Sequence, residues 1–326
     1  MQNSLFEIQK FNDGSQPLLH KTDVMCRAVD NLVLLKSQPN ESVNMIYSDI
    51  LYGTGRNFGE YQDLKPIRSD VENHYLPRLI EMKRVLKENG CIYLQMDTRI
   101  NHWIRILMDK VFGYDNFQNE IVWAYRTQGF SRSKWSEKHD VVLFYSKSKA
   151  FTFNLEDVRE NEIGESTQKR WHKEIKEFGM IPTKKNGKTY WNSPYSPPRD
   201  WIDMNALPQA HAERNGYPTQ KPKELIKRFV LASSNDGDTV ADYYLGSGTT
   251  AVVCKELNRN FIGCDINPKA IETTISRLNK TYCIYPVIDE SINCPFEHEC
   301  HQCKYFKEGG HFNKNFETQT LFGNEM

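Results

Sequence analysis

The stretch "ADYYLGSGTTAVVCKELNRNFIGCDIN", residues 241–267, decides the fold class of this chain. It reads as a buried strand that ends at Asp242, a turn with Gly246 and Gly248, a helix, and a second strand that ends on Asp265. Glycines at alternate positions let the backbone approach a ligand that a Cβ atom would exclude, and the helix N-terminus that follows presents free N–H groups. A carboxylate at the tip of the second strand is placed to accept the ribose hydroxyl hydrogens. The stretch therefore predicts a nucleoside-binding βαβ unit.

The glycine spacing separates two kinds of nucleotide site. The turn is Gly-Ser-Gly, without the third glycine of a dinucleotide fingerprint, so a pyrophosphate cradle and a nicotinamide-dependent oxidoreductase are disfavoured. A nucleoside with a small zwitterionic tail fits better. The simpler alternative is a plain glycine turn in which Asp265 only caps the next helix, but the ordered series of strand, turn, helix, strand and acid favours a cofactor site.

Apolar strand-like runs alternate with helical patterns along the rest of the chain. The strand-like runs cover residues 43–49, 91–97, 120–125, 140–146, 238–244 and 260–265. The helical patterns cover residues 69–90, 100–113, 223–234, 249–259 and 267–279. In the first of them, Pro77 makes the first half doubtful and Gly90 supplies a C-terminal stop; in the last, Asn267 is the cap and Pro268 opens the helix. The alternation predicts an α/β fold with a doubly wound, mostly parallel sheet covered on both faces.

The pattern divides the chain into four segments. Residues 1–150 and 216–280 carry the strands and helices, whereas residues 151–215 are polar, contain a proline cluster, and read as an insertion. Residues 281–326 form a cysteine-rich C-terminal extension. We expect the first and third segments to form one domain into which the second is inserted.

Composition excludes several classes of protein. The 326 residues carry a formal net charge of zero, so any site for a polyanion must be local. The N-terminus has neither the basic start nor the apolar run of a secretory signal, and no stretch approaches eighteen consecutive apolar residues. We expect a cytoplasmic protein with no membrane partner.

Three motifs and their order carry a resemblance to a known family. They are "SDILYGTG" (48–55), "YPTQKP" (217–222) and "DYYLGSGTT" (242–250). Together they resemble the β-class amino-group DNA methyltransferases, in which the catalytic motif precedes the target-recognition region and the S-adenosylmethionine motif follows both. The likeness runs from about residue 30 to about residue 280. It implies a Rossmann-like methyltransferase fold with an inserted target-recognition region.

The resemblance implies which residues hold S-adenosylmethionine. Asp265 would hold the ribose, while Thr219 and Lys221 would lie at the methionine end, with Lys221 near the cofactor carboxylate. Tyr244 stands where the family usually has phenylalanine. The residues implied to bind the cofactor are Asp242, Tyr244, Gly246, Gly248, Asp265, Thr219 and Lys221.

The catalytic motif departs from the family pattern in its middle. Asp49 and Tyr52 hold the first and fourth positions, but Ile50 and Leu51 replace two prolines. Methyl transfer to an exocyclic amine needs a carboxylate and a carbonyl to accept the amine hydrogens, and an aromatic face to receive the flipped base. We assign these roles to Asp49, the carbonyl of Ile50, and Tyr52. Loss of proline stiffening costs on the order of 1 kcal/mol, about a factor of ten in rate at most.

The predicted function is a site-specific DNA methyltransferase that acts on double-stranded DNA. The acid in the first position of the motif favours adenine N6 over cytosine N4. The alternatives are an N4-cytosine DNA methyltransferase and a catalytically impaired DNA-binding homologue. The sequence leaves two further partners open, a second copy in a homodimer, which is common in the family, and a cognate restriction endonuclease.

A local basic segment is the predicted DNA interface. Residues 168–190 contain seven Lys or Arg against two Glu, a local charge of +5, with interleaved aromatic residues. Residues 125–135 add further basic residues beside aromatic ones. We select Arg132, Lys169 and Arg170 as DNA contacts, against the alternative of a solvated face of mixed charge.

Cysteines cluster in the C-terminal extension. Cys283, Cys294, Cys300 and Cys303 could hold structural zinc, with His298 or His301 as an alternative ligand. An iron–sulfur cluster is disfavoured because methyl transfer requires no redox chemistry. Reduced free thiols are the other alternative. The four remaining cysteines read as buried core residues or free thiols, namely Cys26, Cys91, Cys254 and Cys264.

Overall fold

The computed structural model describes residues 24–57, 62–126, 131–160, 169–178, 180–185, 188–192 and 196–278. Within these ranges, none of the helices combines the length and the hydrophobicity that crossing a bilayer requires. The strands are β1 Val24–Ala28, β2 Val43–Asp49, β3 Leu86–Met96, β4 Phe117–Ala124, β5 His139–Ser146, β6 Ile181–Lys185, β7 Lys188–Asn192, β8 Trp201–Asp203, β9 Thr239–Asp242 and β10 Asn260–Asp265. The helices are α1 Asn31–Ser37, α2 Arg68–Val85, α3 Asn101–Phe112, α4 His172–Phe178, α5 Lys223–Ser233, α6 Thr249–Glu256 and α7 Pro268–Arg277.

The strands form one large mixed sheet and one hairpin. The large sheet has the order β1-β10-β9-β2-β3-β5-β4-β8, and the hairpin pairs β6 with β7. Strands β1, β10, β9, β2 and β3 are parallel, whereas β5 is antiparallel to both of its neighbours. The mostly parallel α/β sheet predicted from the sequence is confirmed. Ligands of such sheets bind at the carboxyl ends of the strands, which here are those of β2, β9 and β10.

Helices cover both faces of the sheet. One face packs under α1, α2 and α3, with Leu35, Tyr75 and Met108 among its buried side chains. The other packs under α5, α6 and α7, with Phe229 and Ile271 among its buried side chains. This arrangement explains why the parallel strands are apolar almost throughout: both of their faces are buried.

Helix α2 is regular at its proline, where the sequence suggested a disturbance. It continues through Pro77 without interruption, although Pro77 was expected to disturb its first half. The buried side chains of Tyr75, Leu79 and Met82 lie on one face and anchor the helix to the sheet. Pro77 removes the hydrogen bond to the carbonyl of Asn73, and Asn73 is exposed, so water can satisfy that carbonyl.

The expected C-terminal stop at Gly90 is wrong. Helix α2 ends at Val85, and Gly90 lies inside β3. A Cβ atom at Gly90 would lie 2.9 Å from the carbonyl oxygen of Asn44 on β2. The glycine therefore serves a close approach between strands and does not end a helix.

The polar segment 151–215 contributes a hairpin, a short helix and an edge strand. Its hairpin β6–β7 pairs Ile181 with Asn192 and stands apart from the main sheet. Strand β8 instead pairs in parallel with β4, with Trp201 opposite Val122. This edge strand leaves no sign in the sequence because three residues are too few for a periodic pattern. The four segment boundaries drawn from the sequence stay predictions.

Candidate active site

A cavity of about 410 Å³ opens at the carboxyl ends of β2, β9 and β10. Its size falls in the range of small-molecule sites. Most of the residues predicted to act in catalysis or to bind the cofactor line it: Asp49, Ile50, Tyr52, Thr219, Lys221, Tyr244, Gly246 and Asp265. The fold thus brings the catalytic motif and the glycine turn together, although almost 200 residues separate them in the chain.

Asp265 is presented to the cavity by two backbone hydrogen bonds. The N–H of Gly246 donates to one carboxylate oxygen at 2.9 Å, and the N–H of Asn267 donates to the other at 2.9 Å. Each oxygen keeps a further lone pair that can accept a hydroxyl hydrogen. Burial raises the pKa of Asp265, and the backbone N–H groups oppose that shift. The free acceptors fit the hydroxyl groups of a ribose, and the contact of Asp265 with a cofactor stays a prediction.

The two glycines of the turn serve different purposes. Both have positive φ, 52° at Gly246 and 74° at Gly248. A Cβ atom at Gly246 would meet nothing closer than 3.7 Å, so this glycine leaves the cavity wall open. At Gly248 a Cβ atom would overlap the side chain of Thr274 on α7, with its three nearest atoms between 2.2 and 2.7 Å away. Gly248 is therefore required for helix packing, a reason that the sequence pattern does not reveal.

Asp242 builds the turn from behind. Its carboxylate accepts hydrogen bonds from the Thr250 hydroxyl at 2.6 Å and from the Tyr244 N–H at 3.0 Å. It is buried, and it lines a smaller cavity beside the main one. Burial raises the pKa of Asp242 to about 7, although these hydrogen bonds oppose the shift. Its direct contact with a cofactor stays a prediction.

The remaining predicted cofactor residues lie on the cavity wall. Tyr244 lies with its hydroxyl 3.0 Å from Nε2 of His74. Thr219 adopts a positive φ of 58° in the loop that carries Lys221.

Burial, and secondarily the nearby Arg78, lower the pKa of His74 to about 4, so His74 is neutral at pH 7. His74 is a cavity residue that the sequence pattern does not mark, because it lies on the helix α2 and carries no motif.

Asp49 and Tyr52 are joined in a compact polar arrangement. Asp49 is the last residue of β2, and its Oδ1 accepts a hydrogen bond from the Tyr52 hydroxyl at 2.6 Å. The ammonium of Lys221 donates to Oδ2 of Asp49 at 2.5 Å and lies 5.2 Å from the centre of the Tyr52 ring. Burial raises the pKa of Asp49, while Lys221 and the Tyr52 hydroxyl oppose that rise.

Lys221 occupies a place that the sequence did not foresee. The family resemblance implied a position near the cofactor carboxylate. In the structure its ammonium instead neutralises Asp49, with only 11% of the Lys221 side chain and 21% of the Asp49 side chain exposed. A carboxylate removed from water to this degree needs such a partner. Lys221 still lines the main cavity, and its cofactor contact stays a prediction.

The loop after Tyr52 is organised by Asp63. The buried Asp63 carboxylate accepts the backbone N–H groups of Gly53, Thr54 and Leu64 and the Thr54 hydroxyl, at distances between 2.5 and 3.1 Å. Upstream, the Ile50 N–H donates to the Gln95 carbonyl at 3.0 Å. Hydrogen bonds therefore hold the loop in which Ile50 and Leu51 stand in place of the two prolines of the family motif.

The two carbonyls in the middle of the motif differ in their contacts. The Tyr75 hydroxyl donates to the Leu51 carbonyl at 3.0 Å, so this acceptor already has a partner. The Ile50 side chain is buried, which fixes its backbone at the cavity wall. The Ile50 carbonyl stays our predicted second acceptor for the amine.

A second carboxylate lies behind Tyr52. Asp140, the second residue of β5, places Oδ2 at 2.7 Å from the Tyr52 hydroxyl. The Gln95 amide donates to the same oxygen at 2.9 Å, and the Tyr125 hydroxyl donates to Oδ1 at 2.9 Å. The sequence signal was available: an acid opens the apolar run "DVVLFYS" (140–146), and a buried acid needs partners.

The predicted DNA contacts lie on the surface. Arg132 is exposed in the loop before β5. Lys169 and Arg170 are exposed before α4, with the Arg170 guanidinium 5.4 Å from the Trp171 ring centre. Exposure is compatible with phosphate contact, and these three assignments stay predictions.

The cysteines divide into two groups. Four are buried free thiols, as predicted: Cys26, Cys91, Cys254 and Cys264. The cysteines proposed as zinc ligands lie outside the described residues, so the zinc site stays a prediction: Cys283, Cys294, Cys300 and Cys303.

Comparison with known proteins gives consistent matches over most of the chain. A family model for N6/N4 DNA methylases matches residues 43–276. The type II methyltransferase M.HpaI of Haemophilus parainfluenzae is 32% identical over 264 residues, which cover 80% of this chain and 76% of that protein. The DNA adenine methyltransferase YhdJ of Escherichia coli is 32% identical over 276 residues, which cover 84% of this chain and 86% of that protein.

Solved structures share the fold. The cytosine-N4-specific PvuII DNA methyltransferase matches with a TM-score of 0.56 at 15% identity, covering 86% of this chain and 92% of that one. TTHA0409 of Thermus thermophilus, a putative DNA modification methylase complexed with S-adenosylmethionine, matches with a TM-score of 0.51 at 16% identity, covering 83% and 100%. At these identities the likeness concerns the fold alone.

Proposed function

The chain belongs to the N6/N4 DNA methylase family, and from this premise we propose that it moves a methyl group from S-adenosylmethionine to the N6 amino group of a flipped adenine in double-stranded DNA. The DNA substrate and the methyl donor follow from the family. The choice of adenine, the roles of individual residues and the partners are our own assignments.

One observation carries the proposal. A half-buried carboxylate and an aromatic ring hold a cationic nitrogen between them at the edge of the cavity: the Lys221 ammonium is 2.5 Å from Oδ2 of Asp49 and 5.2 Å from the Tyr52 ring centre. An exocyclic amine that becomes positively charged during methyl transfer needs the same two neighbours. The target amine would take the place of the Lys221 ammonium on Asp49.

The chemistry follows from these contacts. S-adenosylmethionine supplies an electrophilic methyl group and leaves as the neutral thioether. Asp49 accepts one amine hydrogen and the Ile50 carbonyl accepts the other, so the nitrogen lone pair is freed from the ring to form the new N–C bond as the C–S bond breaks. Asp49 stabilises the positive charge that develops on the nitrogen. The nitrogen becomes neutral again when it loses one proton, which passes through Asp49 to water.

The cavity supports the donor as a nucleoside with a charged tail. Asp265, fixed by two backbone N–H groups, offers acceptors for the ribose hydroxyls. Tyr244 and Ile266 line the same wall and can pack against an adenine ring. Thr219 and Lys221 lie on the side of the cavity nearest Asp49, where the reacting methyl group must be delivered.

Adenine is favoured by the acid at position 49 and by the relative named as an adenine methyltransferase, which matches 84% of this chain. Cytosine N4 is the second candidate, because the family includes enzymes for both bases. The amine chemistry is the same in the two cases.

The test of the base assignment is a product analysis. The purified protein is incubated with labelled S-adenosylmethionine and mixed genomic DNA, and the digested nucleosides are analysed by mass spectrometry. We expect N6-methyladenine. If the product is N4-methylcytosine, the enzyme is the second candidate, an N4-cytosine methyltransferase. If the protein binds cofactor and DNA but forms no methylated base, it is a catalytically impaired homologue.

Further assignments concern the setting of the enzyme. We assign the enzyme to the cytoplasm. It would act either alone or together with a cognate restriction endonuclease, and we propose a homodimer as its oligomeric state. Structural zinc at the C-terminal cysteines is a separate prediction. Elemental analysis of purified protein tests it: one zinc per chain that is lost in Cys300→Ser supports the site, and metal-free protein of full activity excludes it.

A further inference from the structure

Trp135 is a large aromatic side chain that the fold leaves in water. It is 96% exposed, whereas Trp123, on the nearby strand β4, is 2% exposed and packs in the core. A single exposed apolar residue is common on protein surfaces, so the surroundings of Trp135 decide what its exposure means. Its turn is ordered, it lies near the candidate active site, and basic residues flank it.

The turn that carries Trp135 is ordered by its own serines. The Ser136 hydroxyl accepts the N–H of Ser131 at 3.0 Å. The Ser131 hydroxyl in turn accepts the N–H groups of Ser133 and Lys134, at 3.3 and 3.1 Å. Hydrogen bonds from serine side chains to nearby backbone groups hold a chain in a turn. The backbone that presents the Trp135 ring is therefore arranged before any partner binds.

The same turn is tied to the edge of the sheet at which the candidate active site lies. Strand β5 follows the turn and runs antiparallel to β3, so the start of β5 lies beside the carboxyl end of β3. The Tyr125 N–H donates to the Lys138 carbonyl at 3.0 Å. The Arg99 guanidinium, in the loop after β3, lies 3.7 Å from the Glu137 carboxylate. These contacts place Trp135 at the carboxyl edge of the sheet.

Asp140 links the turn to the predicted catalytic residues. One of its carboxylate oxygens lies 2.9 Å from the Tyr125 hydroxyl, and the other lies 2.7 Å from the Tyr52 hydroxyl. Trp135 precedes Asp140 by five positions, which span at most about 18 Å even in a fully extended chain. Trp135 therefore belongs to the rim over which a flipped base would reach Tyr52.

The charge around the turn fits a nucleic acid. Residues 131–138 contain three basic residues and one acidic residue. Lys134 pairs with Glu137, and Arg126 pairs with Asp203, but the side chains in both pairs are largely exposed. Ion pairs in water contribute little stability, so these cations can exchange a carboxylate for a phosphate group. An aromatic ring between such cations fits a stack of bases between two phosphate backbones.

We propose that Trp135 enters the base stack of duplex DNA and fills the gap that the target adenine leaves when it turns out toward Tyr52. The ring stacks on the neighbouring base pairs and replaces part of the stacking that is lost with the adenine. Trp135 is a positioning residue, since it contacts neither the methyl donor nor the reacting amine. This inference rests on the proposed function and adds to it the residue that keeps the target base outside the helix.

A side chain with this role acts on the flipping step and not on the transfer itself. Without the ring, the adenine returns to the stack more often, and fewer complexes hold it at Asp49. Binding of S-adenosylmethionine is unaffected, because Trp135 is not one of the described residues that line the cavity. The role also does not depend on the flanking sequence, because every base presents a π face.

Three variants separate stacking from other roles of the ring. Trp135→Ala removes the ring, and Trp135→Phe keeps a smaller aromatic face. Tyr114→Ala is the matched control, because Tyr114 is 72% exposed but lies just before the start of β4, whereas Trp135 follows its end. The substrates are two duplexes that contain the methylation site mapped in the product DNA. In one the target adenine is paired, and in the other it is mismatched.

Single-turnover transfer to the paired duplex should fall about tenfold or more in Trp135→Ala, because one stacking contact is lost. It should stay within about threefold of wild type in Trp135→Phe and in Tyr114→Ala. A mismatch lowers the cost of unpairing, so it should bring Trp135→Ala to within about threefold of wild type on the same duplex. The Kd for S-adenosylmethionine should be the same in all four proteins.

Three results would overturn the proposal. The first is a wild-type rate of Trp135→Ala on the paired duplex. The second is an equal loss on the paired and the mismatched duplex, which would indicate a contact that is unrelated to flipping. The third is the loss of a dimer in Trp135→Ala, which would assign the ring to a contact between two copies of the chain.

Base flipping supplies a readout that does not need methyl transfer. 2-Aminopurine in place of the target adenine fluoresces more strongly when it leaves the stack. Wild type and Tyr114→Ala should raise this fluorescence, and Trp135→Ala should raise it much less. An equal rise in Trp135→Ala contradicts the proposal. The failure of the proposed function is distinguishable, because wild type would then methylate no base, whereas failure of this inference leaves transfer by wild type intact.

Discussion

At the scale of single residues, hydrogen bonds take the place of proline rings in holding the loop that carries the predicted catalytic residues. Ile50 and Leu51 stand where the family has two prolines, which led us to expect a less pre-organised loop. The structure supplies four hydrogen bonds to the buried Asp63 carboxylate, together with the bond from the Ile50 N–H to β3. Each such bond contributes about 1 kcal/mol, comparable with the stiffness that the missing prolines would have supplied.

Removal of the Asp63 carboxylate tests this compensation. Asp63→Ala should lower kcat by about tenfold or more and leave the Kd for S-adenosylmethionine within about threefold, because the described hydrogen bonds of Asp63 all go to Gly53, Thr54 and Leu64, in the loop that follows Tyr52. Rapid-quench kinetics and equilibrium binding measure the two quantities. The exposed Asp70→Ala is the control. A wild-type kcat in Asp63→Ala would show that the loop is ordered by other means.

The sequence marked two residues that line the cavity, Asp49 and Tyr52, but not the residues that hold them in place. Asp49 and Tyr52 could be found because a strand end, a short motif and its place in the chain mark them. Asp63 could not be found, because no pattern marks it, and Asp140 carries only the sign of an acid that opens an apolar run, which does not tell which groups it contacts. A buried acid acquires its meaning only when folding shows which donors surround it.

At the scale of elements, the glycine turn after β9 combines a ligand wall with a packing contact. Gly246 faces the main cavity, whereas Gly248 accommodates Thr274 of α7. The sequence places both glycines in the turn, but it suggests the same reason for each, namely the close approach of a ligand. In the structure that reason applies to Gly246 and not to Gly248. Helix α2 and strand β3 show the same limit, because Pro77 and Gly90 act through packing partners that local patterns do not include.

Alanine at each glycine should separate the two reasons. Gly246→Ala should cost about 1–2 kcal/mol for its left-handed backbone and weaken cofactor binding. Gly248→Ala should destabilise the protein by a further margin, because its Cβ atom also overlaps Thr274. Denaturant unfolding and cofactor titration measure the outcome. Equal losses of stability in the two variants would contradict the packing role of Gly248.

Asp242 at the end of β9 gives stability a dependence on pH. Because burial raises its pKa to about 7 in the folded protein, its contribution is fully present below the unfolded pKa of about 4 and is lost as pH rises through 7. The expected slope is up to about 1.4 kcal/mol per pH unit in that window. Asp242→Asn should flatten it, as measured by urea unfolding from pH 4.5 to pH 8. An unchanged slope, or an equal effect of the exposed Asp115→Asn, would contradict the assignment.

At the scale of the whole molecule, the sequence was sufficient for the fold class and the meeting of distant motifs. Alternating apolar strands and helices predict the parallel sheet, and parallel strands bring their carboxyl ends to one edge. The antiparallel direction of β5 was not predicted, because a periodic pattern does not reveal strand direction. The edge strand β8 was not predicted either, because three residues are too few to form a pattern. The predicted DNA-binding surface cannot be derived from such patterns either. The sequence shows where positive charge is concentrated, but it does not show which of these residues contact DNA.

The salt dependence of DNA binding tests the predicted surface. Replacing Arg132, Lys169 and Arg170 by Gln should reduce the slope of log K against log salt by about three, roughly one for each phosphate that is no longer neutralised. Fluorescence anisotropy over a series of salt concentrations measures the slope. The control replaces Lys36, Lys110 and Lys227, which lie on helices that cover the sheet. An equal change in both triple variants would indicate a general charge effect and contradict a specific interface.

Asp49 is the proposed acceptor for the target amine, and the rest of the mechanism depends on this role. The most direct test is single-turnover transfer of a labelled methyl group to double-stranded DNA by wild type and by Asp49→Asn, beside the affinity of both for S-adenosylmethionine and DNA. We predict transfer by wild type, a loss of at least about 100-fold in Asp49→Asn, and affinities within about threefold. Transfer by Asp49→Asn at the wild-type rate would contradict this role.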